Sequence, residues 1–213
     1  MTEEEEKTAA FLNTLPEEEI TAMARTYTEG YRIGFIATGK DLSRKKTVNI
    51  RYVLGFERMI RAAITQFEQM GLQPVIYRSA VHMVNKGLHR IGYYGAIPNP
   101  QFDYDHRNDI ALYLDDDFVS RKLRATRGAY ETYKELAGVH AGPAVVEIFG
   151  ERPFVPETCE YAMKLTERQQ KLKVQYANEI GQITNRYIKG EERSFTIIAY
   201  PVPAIGDQFE EIF

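Results

Sequence analysis

The feature that most restricts how this 213-residue chain can fold is one apolar stripe at helical spacing. Phe56, Met59, Ile60, Ala63, Ile64, Phe67 and Met70 fall at offsets 0, 3, 4, 7, 8, 11 and 14, so all seven share one face of a helix over 56–70. Gly71 follows as its stop, because a left-handed backbone costs glycine nothing there. On either side the period changes to that of a strand. Val48, Ile50, Tyr52 and Leu54 alternate across 47–54 before Gly55, and Val75 and Ile76 after Pro74 make a short strand over 73–77. Strand, helix and strand in about 30 residues have the size of a parallel crossover unit.

The rest of the chain keeps the alternation going. Residues 1–30 read as a helical segment with an acidic start, and Thr14-Leu15-Pro16-Glu17 has the spacing of a capping box, with proline in the first turn. Gly30 and Gly34 mark the exit from it, and Arg44-Lys45-Lys46 reads as a solvated basic loop. Residues 79–109 form an irregular excursion holding one short element, and 110–114 a brief strand. Asp115-Asp116-Asp117 then offers caps for a helix lined by Val119, Leu123, Thr126, Tyr130, Tyr133 and Ala137. A strand over 143–149, a loop from Glu151, a second capping box at Thr166-Glu167-Arg168-Gln169, a helix carrying Leu172, Tyr176, Ile180, Ile183 and Tyr187, and a strand over 195–200 complete the series.

This order predicts an α/β domain over 31–213, a mainly parallel sheet with flanking helices in a Rossmann-like layered arrangement, preceded by the helical segment 1–30. After Pro201 and Pro203, residues 207–213 open an amphipathic pattern shorter than an ordinary helix of about 10–12 residues. The expectation is a domain truncated at its C-terminal end, with Phe209, Ile212 and Phe213 leaving an apolar face partly uncovered.

Composition narrows the function classes. With 44% hydrophobic residues the chain can bury a sizeable core, and a net charge of −3 disfavours binding that works by neutralising nucleic-acid phosphates. No apolar run reaches the roughly 20 residues of a membrane span, and the glutamate-rich start is opposite in charge to a secretory signal. One cysteine, Cys159, allows no internal disulfide and fits a cytoplasmic protein. The expected partners therefore include neither nucleic acid nor membrane.

In open α/β sheets ligands sit beyond the carboxyl ends of the strands. Those ends are Leu54-Gly55, Tyr77-Arg78-Ser79, Leu114-Asp115, Phe149-Gly150-Glu151 and Tyr200-Pro201, and none has a glycine pattern that cradles phosphate. The densest polar run is Asp103-Tyr104-Asp105-His106-Arg107-Asn108-Asp109. The carboxylates of Asp103, Asp105 and Asp109 with His106 could hold a hard cation or position a substrate amine, and Arg107 beside them is a candidate for a ligand or substrate cleft, although the spacing matches no calcium loop; the alternative is a loop built on Asx turns. His82, His89 and His140 lack ligand partners at helical spacing and read as surface or helix-end residues. No catalytic or metal-binding residue is assigned on these grounds.

The run Lys46-Thr47-Val48-Asn49-Ile50-Arg51-Tyr52-Val53-Leu54-Gly55-Phe56-Glu57-Arg58-Met59-Ile60-Arg61-Ala62-Ala63 resembles the strand, loop and helix that open the N-terminal domain of the thermophilic-type metallo-aminopeptidases, the aminopeptidase T and aminopeptidase S group. Arg61 stands at the arginine of that helix. Phe195-Thr196-Ile197-Ile198-Ala199-Tyr200-Pro201 is similar to a later strand of the family ending in proline, although Pro201-Val202-Pro203 replaces its Pro-Thr. Residues 91–115 resemble a longer clostridial-type branch.

The resemblance implies an N-terminal, non-catalytic domain of an enzyme that removes N-terminal residues from peptides. The family's two divalent metal ions belong to a C-terminal catalytic domain, so no cofactor is expected in this chain, which would supply a scaffold and one wall of the cleft for the peptide substrate, with Arg61 as a substrate-cleft candidate. The competing expectations are a stand-alone small-ligand module near Gly55, Ser79 and 103–109, and a structural domain that forms a homodimer.

Overall fold

A computed structural model describes residues 1–76, 93–94, 99–150 and 153–213. The expectations for Tyr77, Arg78, Ser79, His82, His89 and Glu151 lie outside the described residues.

Two helices open the chain, α1 (Glu3–Thr14) and α2 (Glu17–Ala37). A capping box does begin α1, but Thr2 and Glu5 supply it: the Thr2 hydroxyl accepts from the Glu5 backbone N–H and the Glu5 carboxylate accepts from that of Thr2. The box expected at Thr14 does not form. The Thr14 hydroxyl donates back to the Phe11 carbonyl at 2.7 Å, so that residue finishes α1, and Pro16 begins α2 without a side-chain cap.

Next come β1 (Thr47–Val53), α3 (Glu57–Gln69) and β2 (Gln73–Val75), the expected crossover unit, with Gly71 in the left-handed region at φ +81°. The two-residue strand β3 (Tyr93–Tyr94) and the short helix α4 (Pro100–Asp105) follow. Then come α5 (Asp116–Thr132), α6 (Lys134–Gly138), β4 (His140–Phe149), α7 (Glu167–Tyr187), β5 (Thr196–Pro201) and α8 (Phe209–Ile212). Asp115 caps α5 through its carboxylate at 2.7 Å from the Phe118 N–H, and Thr166 and Gln169 form the capping box of α7.

The strand expected over 110–114 is a 3₁₀ turn, Asp109–Leu112. Its backbone bonds close locally, with the Leu114 N–H donating to the Ile110 carbonyl, and Leu114 turns into a small cluster with Val119, Leu123, Leu172 and Ile183. The helix expected through Ala137 breaks at Tyr133, which ends α5 as an exposed side chain.

The sheet runs β2-β1-β4-β5 with every pair parallel, and β3 pairs with β1 at Tyr52 and Val53, past the register of β2. Its two faces have different fates. Val48, Ile50 and Tyr52 of β1, Ala144, Val146 and Ile148 of β4, and Ile198 and Tyr200 of β5 share the face that packs into the main core. Helices α1, α2 and α3 cover it with Leu12, Ile20, Ala24, Tyr27, Tyr31, Phe35, Met59, Ile60, Ala63 and Phe67. On the opposite face Ile197 and Phe149 are about half exposed, and the α5–α7 pair holds its own cluster apart from the main core.

Gly30 and Gly34 lie inside α2 and do not mark its exit. A Cβ at Gly34 would sit 2.9 Å from the Ser194 hydroxyl oxygen and one at Gly30 3.4 Å from that of Thr196. Two missing side chains, one helical turn apart, let α2 lie close against the start of β5.

Candidate functional site

An α/β sheet presents its crevice at the carboxyl ends of its strands, and here those of β1 and β4 are filled by the chain itself. Gly55 follows β1 at φ +107°, and a Cβ there would meet the Glu5 carbonyl at 3.1 Å and the Thr8 side chain at 3.3 Å. Helix α1 therefore lies directly over this turn, with Glu5 and Thr8 buried. Arg58 on α3 fastens it there, donating to the Leu12 and Leu15 carbonyls at 2.6 and 2.7 Å and pairing with Glu17 at 2.9 Å.

The neighbouring strand end is covered in the same way. Gly150 follows β4 at φ +97°, and its missing side chain makes room for Ile205, whose Cγ2 would lie 1.7 Å from a Cβ. Phe11, Phe56, Tyr200, Phe209 and Phe213 close the rim as one aromatic cluster, with Tyr200 and Phe213 stacked at 5.2 Å and Phe11 edge-on to both Phe209 and Phe213. Phe209 and Phe213 thus pack inward. Of the three apolar residues expected on an uncovered face, Ile212 alone is exposed.

The sequence-selected polar run winds through α4 and the turn after it. His106 Nδ1 lies 2.7 Å from Asp109 Oδ2, Asp105 accepts from Gln101 at 2.8 Å, and Arg107 lies 3.7 Å over the Tyr104 ring and donates to the Tyr104 carbonyl. The Phe102 ring covers His106 at 4.2 Å. Gln101 also exchanges two hydrogen bonds with the Glu157 backbone, tying this turn to the loop before α7. These contacts, with the Asn99 side chain capping α4, describe a turn whose polar groups largely answer one another. Arg61 stands apart, exposed on α3 with no side-chain partner among the described residues. Among the described residues no group of three His, Cys, Asp or Glu side chains could hold a metal ion, so the donor set for a paired metal centre is not assembled there.

A second polar group, absent from the sequence-based candidates, lies at the amino end of the sheet. Thr47, Asn49 and Arg51 alternate with Val48, Ile50 and Tyr52 and so fall on the face of β1 opposite the main core, where Asn49 is buried and Thr47 and Arg51 are partly exposed. Asn49 donates to the Val75 carbonyl at 3.2 Å and accepts from Arg51 Nε at 2.8 Å, which folds the guanidinium back toward the amino end of the strand. Thr47 Oγ1 lies 3.3 Å from Nδ1 of His140, the first residue of β4. Burial lowers the His140 pKa, and the positive charges of Arg193, Arg51 and Lys45 lower it further.

Lys45, expected in a solvated loop, is instead buried. Its ammonium donates to the Gly138 carbonyl at 2.8 Å and pairs with Glu192 at 3.1 Å. The reason is long-range: the turn after α6 and the one before β5 both close over it. The signal for this polar group was present as the polar alternation of β1, but only the order β1-β4-β5 brings His140 and Arg193 beside it.

No helix among the described residues is long and apolar enough to cross a membrane. The chain matches no protein-family description, no characterised protein and no solved structure.

Proposed function

We propose that this chain is a non-catalytic α/β domain, the N-terminal part of a cytoplasmic metal-dependent aminopeptidase. One observation carries the non-catalytic reading: the crevice beyond the carboxyl ends of β1 and β4 is occupied by α1, Ile205 and the Phe11–Phe213 aromatic cluster. A substrate would have to displace packed core side chains to reach it. The aminopeptidase reading rests on the resemblance of Lys46–Ala63 and Phe195–Pro201 to that family. In it the peptide substrate and two divalent metal ions, which would activate water and polarise the scissile carbonyl, belong to a catalytic domain outside these 213 residues. This domain supplies a rigid wall, with Arg61 exposed on it.

The test is made on the purified chain. Incubated with Zn²⁺ or Co²⁺ and dialysed, it is expected to retain no stoichiometric metal and to release no p-nitroaniline from leucine p-nitroanilide. Retention of two ions per chain, or turnover above the metal-only blank, would overturn the non-catalytic reading. A competing ligand-module reading places the site on the turn at 103–109, and binding of a small molecule lost in Asp105→Ala and His106→Ala would favour it instead.

A further inference from the structure

We propose that the amino end of the sheet face opposite the main core is an oxyanion site, formed by Arg51, Arg193, His140 and Thr47, that takes a phosphate group. It is independent of the aminopeptidase reading and distant from the filled crevice. Strand alternation puts these residues on one face: Val145 pairs with both Arg51 and Ile197, so Arg51, Val145 and Ile197 share it, and Arg193, extended just before β5, lies on the same side two residues before exposed Phe195, with one terminal nitrogen donating to Asn185 at 3.3 Å.

Three features make this a receptor for negative charge. First, the donors are held in place. Asn49 fixes Arg51 through Nε and leaves the two terminal nitrogens of the guanidinium without a partner among the described residues. Thr47 Oγ1 lies 3.3 Å from His140 Nδ1, which holds the half-buried ring in place beside the strand, and the protonated ring can donate to a bound anion. Second, the local charge is one-sided. Lys45, Arg51 and Arg193 all act on His140, and the nearby carboxylate, Glu192, is already held between Lys45 and Lys189 at 3.1 and 3.2 Å. Third, this occurs on a chain whose net charge is −3, so the cations are concentrated here against the overall balance. Cations around a half-buried imidazole repel one another, and a bound dianion would offset that repulsion while accepting the free N–H groups. A planar guanidinium matches two oxygens of either anion, so it is the dianionic charge set against several cations that favours phosphate over a monoanionic carboxylate.

The measurement is the pH titration of the His140 ring protons by NMR, assigned with His140→Gln and run at constant ionic strength in chloride, acetate, inorganic phosphate and phenyl phosphate. Both phosphates are expected to move the His140 midpoint upward in a saturable way while acetate leaves it unchanged. Arg51→Gln and Arg193→Gln are each expected to weaken phosphate binding about tenfold or more. Tighter binding of phenyl phosphate would identify a phosphorylated molecule as the source of the group, and equal or tighter binding of inorganic phosphate the free ion. An identical His140 titration in chloride and phosphate, or a response that survives both substitutions, would overturn the site. Should Arg51→Gln fail to fold, Arg193→Gln, in the turn before β5, decides alone.

Discussion

The Tyr31 hydroxyl donates a 3.1 Å hydrogen bond to the Gly142 carbonyl in the interior, joining α2 to the bulged start of β4. Gly142 itself has φ +110°, and a Cβ there would lie 2.0 Å from the Ser194 carbonyl oxygen. One turn of α2 earlier, the equally buried Tyr27 hydroxyl has no partner among the described residues. Tyr31→Phe is therefore expected to cost about 1–2 kcal/mol, while Tyr27→Phe is neutral or stabilising, because it removes a polar group that gains nothing by burial. Gly142→Ala is expected to cost about 3 kcal/mol or more, through backbone strain and a steric clash that no rotamer relieves. Urea denaturation of the three variants beside the parent checks the order.

Glycines inside helices divide into two kinds here. Gly34→Leu is expected to destabilise by about 1–3 kcal/mol, since the side chain would drive α2 off Ser194. Gly128 in α5 and Gly181 in α7 have nothing within 4 Å of a Cβ, so alanine at each is expected to add about 0.5–1 kcal/mol by helix propensity alone. Thermal melts that rank Gly34→Leu below the parent and both alanine variants above it would agree.

Removing the Arg58 guanidinium leaves the Leu12 and Leu15 carbonyls without their donor. Arg58→Met keeps the apolar stem, and is expected to cost about 2 kcal/mol. The loss should be local: amide hydrogen exchange is expected to quicken in α1 more than in β4. Uniform quickening across both elements would contradict the fastening role given to this residue.

The pH profile should have two limbs. Burial pushes Tyr27 and Tyr31 well above the ordinary phenol range and Tyr200 up to about 12. In the unfolded chain the same phenols lose protons near about pH 10, so above that the unfolded form binds fewer protons and stability falls as pH rises. His140 runs the other way. Its folded pKa is lowered, so the unfolded chain takes up a proton first as pH falls below about 6.5, and the stability it contributes above that point is lost on acidification. His140→Gln is expected to flatten the acid limb and leave the alkaline one in place, read as denaturation midpoints across the range.

How much of this was legible in the sequence depended on how local its cause was. The stripe from Phe56 to Met70 set α3 and the crossover, and the caps at Asp115 and Thr166 stand where side-chain spacing put them, because each is settled within a few residues. Glycines 30 and 34 were misread since their reason, the surface of Ser194 and Thr196, lies far along the chain. The same holds for Lys45, whose partners are Gly138 and Glu192. The cationic group at Arg51, His140 and Arg193 and the filling of the crevice by α1 both depend on strand order, which periodicity does not encode.

The bonds that close α2 and its following loop against the sheet span 111 positions from Tyr31 to Gly142, 147 from Lys45 to Glu192 and 153 from Lys40 to the Arg193 carbonyl. During synthesis, α1 and α2 therefore emerge long before the part of their packing surface that β4 and β5 supply, with β1 and α3 as their first partners. Tyr27 and Tyr31 meet Phe67 of α3 edge-on, at 5.7 and 5.4 Å, and can do so early, whereas the bond from Tyr31 to Gly142 must wait for β4. Such reliance on distant contacts puts the chain among slow folders, with the docking of β5 as the step that commits it. Until then α2 carries part of its apolar side uncovered, and it is there that a holding chaperone would find its grip.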